Sequence, residues 1–130
     1  MGWINSARLD GLANDIANRA NKVVLCSALP TTYAEAVTTY VLAADTITTG
    51  VGNGDYSLGA GANNDRRLTV AQKSSIVASA SGTVLYAALV DTVNQTLEAV
   101  SDQLAAENQV ALTAGKAFTR DAVTIDIGPR

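Results

Sequence analysis

Residues 83–91, TVLYAALVD, decide the fold class of this chain. Apolar side chains fall on both of the faces that alternate along a strand: one face carries Val84, Tyr86, Ala88 and Val90, and the other carries Leu85, Ala87 and Leu89. A strand that is apolar on both faces lies inside a domain, because each face needs its own cover. This stretch therefore predicts the central strand of a mainly β domain with two layers.

Further strands are predicted on both sides of this one. Residues 22–27 form an apolar run, and residues 40–49 are rich in Thr, Val and Ile, enough for one or two strands. The other predicted strands are residues 67–72, 75–80, 96–101, 108–112 and 122–127, with turns at 93–95 and 113–116. Short strands at intervals of about 8–12 residues are typical of an antiparallel β-sandwich or barrel. Residues 102–107 also fit a helical turn.

Alternation along these strands predicts which side chains form the core. On each strand, the apolar residues at every second position should point inward. The predicted core consists of Val23, Leu25, Leu68, Val70, Leu85, Leu89, Val110, Val123 and Ile125.

The beginning of the chain reads as a helix that needs a surface to lie on. Ser6 can cap it, and Leu9, Leu12 and Ile16 recur near helical spacing. Gly11 weakens it, and short helices are marginal in water. We therefore divide the chain into a helical arm, residues 1–21, and a single β domain, residues 22–130. We expect the apolar stripe of the arm to contact another chain, so that a protein without residues 1–20 still folds but does not assemble.

Two further stretches are candidates for contacts with a partner. Residues 50–64 are rich in Gly and Asn, and such a loop either is disordered or is shaped by a partner, for which Tyr56 and Leu58 supply an apolar anchor. Arg66 and Arg67 are either the solvated start of a strand or a contact to an acidic neighbouring subunit. Thr32-x-x-Glu35 has the spacing of a capping box and predicts one short helical turn.

The composition favours a protein whose surface is in contact with neighbouring chains. Only 16% of the residues are charged, compared with about 25% in an average soluble protein. A weakly charged surface suits burial against partners, although a monomer with a bland surface is the alternative. The net charge of −3 argues against a nucleic-acid partner. The apolar stretches are too short to cross a membrane.

The chain offers little for catalysis. It has no histidine, the commonest general base and metal ligand, and its single cysteine, Cys26, lies in an apolar strand as a buried structural thiol. The acidic candidates for a carboxylate pair lie at predicted strand ends and turns and are interpreted as solvated: Asp91, Glu98, Asp102, Asp121 and Asp126. A calcium site built from Asn53, Asp55, Asn63, Asn64 and Asp65 lacks a bidentate Glu. We therefore predict no enzymatic activity, no metal and no cofactor.

Residues 26–36, CSALPTTYAEA, match the pattern Cys-Ser-x-x-Pro-Thr-Thr-Tyr-x-x-Ala. This signature resembles that of a small family of tailed-phage virion proteins, and the similarity continues to the terminal Val-Thr-Ile-Asp-Ile strand. One departure is Leu85-Tyr86, where the family tends to have Thr-His, so any role of that histidine does not carry over.

The resemblance implies a structural component of a tailed-phage virion that assembles in the cytoplasm of the bacterial host. A capsid decoration, or cement, protein fits the size and the low charge, and a tail, neck or fibre-associated host-binding module is the alternative. The partners implied are further copies of the chain, a trimer by family analogy, and other virion proteins such as the major capsid protein.

Overall fold

A computed structural model describes residues 6–61, 65–104 and 109–127, with side chains from Arg8 onwards. The described chain is mainly β, with one N-terminal helix and antiparallel sheets, as predicted for a sandwich-like domain. The elements are the helix α1 (Ser6–Arg19), a π-helical turn (Glu35–Thr39), and the strands β1 (Lys22–Cys26), β2 (Val41–Thr46), β3 (Tyr56–Ala60), β4 (Arg66–Val70), β5 (Lys73–Val77), β6 (Gly82–Thr83), β7 (Tyr86–Asp91), β8 (Thr96–Val100), β9 (Ala111–Leu112), β10 (Ala117–Arg120) and β11 (Val123–Ile127).

The largest sheet has the strand order β2-β1-β7-β8, so that β1 and β7 are its inner strands. They pair antiparallel, with Val23 opposite Leu89 and Val24 opposite Ala88. Alternate residues of both strands enter two different apolar clusters, one on each face of the sheet. The prediction of a central strand covered twice is confirmed. That strand begins at Tyr86, because Gly82–Thr83 pairs separately with β9.

The inner face of this sheet is covered by the helix and by a second sheet, with the strand order β11-β4-β3. The helix contacts β3, β4, β8 and β11, and its residue Leu9 is only 2% exposed. The buried row continues through Ala13 and Ala17, one residue in four, while Leu12 is 51% exposed.

The helix is therefore not a detached arm, because it shares one core with the strands. Leu9 and Ile16 of the expected stripe face this core, but Leu12 does not, because the alanines Ala13 and Ala17, which allow a close approach of the helix, carry the contact in its place. Without residues 1–20 the inner core would lose one of its walls, so we now expect such a protein to fold poorly.

The glycine-rich stretch at residues 50–64 is only partly a loop. Gly50, Gly52 and Gly54 have φ values of 91°, 86° and 116°, which favour glycine, and they form the tight connection that follows β2. Strand β3 starts directly after it, and Tyr56 is 2% exposed. The Tyr56 hydroxyl donates a hydrogen bond to the carbonyl oxygen of Ala20 at 2.8 Å. Residues 62–64 lie outside the described residues.

The predicted core is confirmed at seven positions and differs at two. Leu85 is half-buried, and Val110 is 40% exposed beside the two-residue strand β9, while Val84 is buried instead. The buried residues among those predicted are Val23, Leu25, Leu68, Val70, Leu89, Val123 and Ile125. Strand β10 was not predicted, and β5 begins two residues earlier than expected. Residues 102–104 have no regular structure, and residues 105–108 lie outside the described range.

Replacing Leu89 should test the inner core directly. Leu89 is fully buried on β7, so Leu89→Ala leaves a cavity and should lower the free energy of unfolding by about 2–5 kcal/mol. Val93→Ala is the matched control, because Val93 is 82% exposed in the β7–β8 hairpin. Urea titration measures both. A change at Leu89 no larger than that at Val93 would contradict this core.

Candidate functional site: the outer face of the central sheet

The predicted contact residues do not form one common surface. Leu9 and Tyr56 are buried in the chain's own core, and Ile16 and Leu58 lie half-buried against the same core. Their assignment to contacts with another chain is therefore wrong for Leu9 and Tyr56. Leu12 is the member of this set that remains largely exposed.

The two arginines find acidic partners within the chain. The guanidinium of Arg66 pairs with Asp10 on the helix. Arg67 donates two hydrogen bonds to Asp126 on the neighbouring strand β11, at 2.7 and 3.0 Å. An acidic neighbouring subunit is thus not needed to explain Arg66-Arg67, because these pairs join β4 to the elements beside it.

The outer face of the central sheet carries a second, smaller apolar cluster. It consists of Val24, Cys26, Ala36, Ala88 and Val90, all of which are fully buried. The π-helical turn contributes Ala36 and is the element that covers this face. Seven apolar residues around the cluster are only partly buried, and we call them the outer patch: Tyr33, Val37, Tyr40, Val41, Tyr86, Leu97 and Val100.

The signature stretch builds this cover. The Thr32 hydroxyl accepts a hydrogen bond from the backbone N–H of Glu35 at 3.1 Å, which confirms the predicted helical turn. The Glu35 carboxylate reaches back to Thr31, accepting from its hydroxyl at 2.7 Å and from its backbone N–H at 2.8 Å. These hydrogen bonds lower the pKa of Glu35. The N–H of Tyr40 then bonds the carbonyl of Glu35 five residues back, at 2.8 Å, and closes the turn.

Cys26 lies beneath the turn as a structural group. Its side chain is fully buried, and its Sγ lies 3.7 Å from the carbonyl oxygen of Ala36 and 3.9 Å from that of Val24. Burial raises the pKa of the thiol to about 11. The thiolate is the nucleophilic form of cysteine, so this position is inert at neutral pH. The expectation of a buried structural thiol is confirmed.

A bulge in the edge strand β8 shapes one side of the outer patch. Val90 pairs with Leu97, but Leu89 pairs with Ala99, which leaves Glu98 as an extra residue. Leu97 and Val100, three residues apart, therefore face the same outer cluster, while Ala99 faces the inner core. On a strand without a bulge, Leu97 and Val100 would lie on opposite faces of the sheet.

The five acidic candidates take different roles. Asp91 is buried and accepts hydrogen bonds from the side chain of Asn94 at 2.7 Å and from the backbone of Val93 and Asn94, which lowers its pKa and closes the hairpin. It is therefore not a solvated turn carboxylate. Glu98 accepts from the hydroxyl of Thr96. Three candidates line one groove beside β11: Asp102, Asp121 and Asp126.

The described residues contain no group of three or more His, Cys, Asp or Glu side chains arranged to hold a metal ion. Of the residues considered for calcium, Asn63 and Asn64 lie outside the described part of the chain. Asp55 accepts a hydrogen bond from the backbone N–H of Thr48 at 2.6 Å, and Asp65 is buried. In the same part of the chain, no helix is long and apolar enough to cross a membrane.

One buried ion pair was not predicted from the sequence. Arg120 on β10 donates two hydrogen bonds to Asp45 on β2, at 2.7 and 3.0 Å, and their side chains are 2% and 4% exposed. Arg120 also donates to the carbonyl oxygen of Asp121 at 3.0 Å. The two charges neutralise each other and join the small β5–β10 sheet to the central sheet. The signal in the sequence was an aspartate inside the apolar strand β2.

No protein-family model, curated protein or solved structure matches the chain.

The buried pair should respond differently to single and double replacement. Asp45→Asn leaves the Arg120 charge buried without its counterion and should cost about 3–5 kcal/mol of unfolding free energy. Replacing both residues, as Asp45→Leu with Arg120→Met, should recover most of that loss because no charge stays buried. Asp15→Asn, which removes the exposed pair between Asp15 and Arg19, is the control and should change little. A single variant as stable as this control would contradict the structural role of the pair.

Proposed function

We propose that this chain is a non-enzymatic structural subunit of a tailed-phage virion, a capsid decoration or cement protein that attaches to its neighbours through the outer patch. One observation carries the proposal. The residues of the signature that resembles phage virion proteins are the residues that build the cover beside this patch.

The signature residues serve structure and not chemistry. Cys26, Pro30 and Ala36 are buried, and the hydroxyls of Thr31 and Thr32 are used in hydrogen bonds that cap the turn. A catalytic motif would present polar atoms to a cleft, whereas this one uses its polar atoms internally. Such a pattern fixes the shape of the turn, and a contact surface requires a defined shape.

The outer patch has the composition of a protein-binding surface. Three of its seven residues are tyrosines. Tyrosine is enriched in interfaces because its ring buries a large area while its hydroxyl bonds at the polar rim. The hydroxyl of Tyr86 already donates to the side chain of Gln103, at 3.4 Å, on the border of the patch. The small share of charged residues in the whole chain also favours a surface that is buried against neighbouring chains.

Binding to phage capsids that were assembled without this protein tests the proposal. The wild-type chain should sediment with these capsids in hundreds of copies per particle, the number that distinguishes decoration of the shell from a place in the tail or neck. Leu97→Glu and Val37→Glu each place a charge in the outer patch, on different elements, and should weaken binding by at least about tenfold.

Leu12→Glu is the matched control, because it adds the same charge at an exposed leucine of the helix, outside the patch. It should bind like the wild type. Circular dichroism and urea unfolding identify any variant that has lost its fold. Folded patch variants that bind normally would overturn the role of the patch, and a wild-type protein that binds no capsid would overturn the decoration role.

A further inference from the structure

A groove lies along strand β11 and borders the outer patch at Val100. Its lining residues are Gln72 and two runs of chain, residues 121–126, which we call the β11 wall, and residues 100–104, which we call the second wall; the cavity has a volume of about 510 Å³. We call it the edge groove. Both walls are single runs of chain, so the groove has the shape that an extended segment fills.

The β11 wall is an open strand edge. On one side β11 pairs with β4 over five consecutive residues, from Val123 opposite Val70 to Ile127 opposite Arg66, without a bulge. Within the described residues, β4 is the only strand that pairs with it. The side chains of Val123 and Ile125 point into the core, while Thr124 points outward. A regular, unpaired edge of this kind is a template for another strand.

The second wall, residues 100–104, is hydrogen-bonded to the central sheet and to the residue that precedes β7. The backbone N–H of Ser101 donates to the carbonyl of Ala87 at 2.8 Å, and that of Leu104 donates to Leu85 at 2.9 Å. The Ser101 hydroxyl accepts from the N–H of Ala87 at 3.0 Å. These bonds join residues 101 and 104 to β7 and to the residue before it.

The charges of the groove indicate what it binds. Asp102 and Asp121 belong to the two different runs that line the groove and are exposed, and neither carboxylate takes part in an ion pair within the described residues. Asp126 also lines the groove and pairs with Arg67. Among the described residues that line the groove, none is a lysine or an arginine. A cleft lined by one sign of charge attracts the opposite sign.

We propose that the edge groove binds an extended segment of a partner protein that carries lysine or arginine side chains and that adds to the sheet as a strand beside β11. The partner's backbone bonds the edge of β11, and its cationic side chains contact Asp102 and Asp121. The edge strand β8 is a poorer template, because its bulge at Glu98 interrupts the regular spacing of backbone groups. The edge groove shares Val100 with the outer patch, but this inference is argued from the β11 edge and does not rest on the proposed function.

Amide chemical shifts of the ¹⁵N-labelled protein test the proposal with a blocked heptapeptide of alternating Thr and Lys. This peptide should shift the amides of residues 100–104 and 121–126. A twin with Glu in place of Lys should not bind. A second twin with Pro in place of Thr keeps the charge, lacks alternate N–H donors, and should bind much more weakly.

Variants of the two exposed carboxylates complete the test. Asp102→Asn and Asp121→Asn should each lower the affinity for the Lys peptide by roughly threefold, and added salt should lower this affinity further. Asp15→Asn, on the exposed face of the helix, is the control and should bind like the wild type. No shift in the groove, equal binding of the Glu twin, or equal binding of the Pro twin would overturn strand addition at this edge.

Discussion

The structure depends on the burial of β1 and β7 on both faces of one sheet. Because Val23 and Leu89 face one side while Val24 and Ala88 face the other, the sheet needs two separate covers. The inner cover is large, built from the helix and the sheet of β3, β4 and β11. The outer cover is one short helical turn. Because the outer cover is smaller than the inner one, apolar residues stay partly exposed around it, and these residues support the proposed function.

The smaller elements are attached to this sheet by polar groups placed at specific positions. The bidentate pair of Arg120 with Asp45 joins β10 to β2. The β10–β5 pairing is irregular between Phe118 and Arg120, and Ser75, within β5, has a positive φ of 61°. The extra residue of this bulge lies on β5, whereas β10 alternates regularly, so that Phe118 and Arg120, two residues apart, both turn inward. The β2–β3 connection uses glycines with positive φ for the same purpose of turning the chain within a short length.

The central strands could be predicted from the sequence because their signal is local. Alternation and apolarity on both faces are visible within residues 22–27 and 83–91. The helix was also visible, and Leu9 and Ile16 were placed on its buried side, but Leu12 was wrongly added to them because alanine gives a weaker signal than leucine. Strand β3 was hidden because the glycines before it resemble a loop.

The candidate sites were less visible, since they depend on contacts between distant positions. Asp45 and Arg120 are 75 residues apart, and no periodic pattern links them. Leu97 and Val100 share a face only because of the bulge in β8, and no pattern in the sequence predicts that bulge. Residues 26–36 can be quoted from the sequence, but only the structure places them at the border of the outer patch.

Native-state hydrogen exchange of the free protein tests most directly whether the doubly covered strands hold the fold together. Amides of β1 and β7 should exchange only through global unfolding, and their opening free energy should equal that from urea titration. Amides of the two-stranded β6–β9 sheet should exchange faster through local opening. Exchange of the β7 amides as fast as those of β6 would contradict the central place of β1 and β7 in this fold.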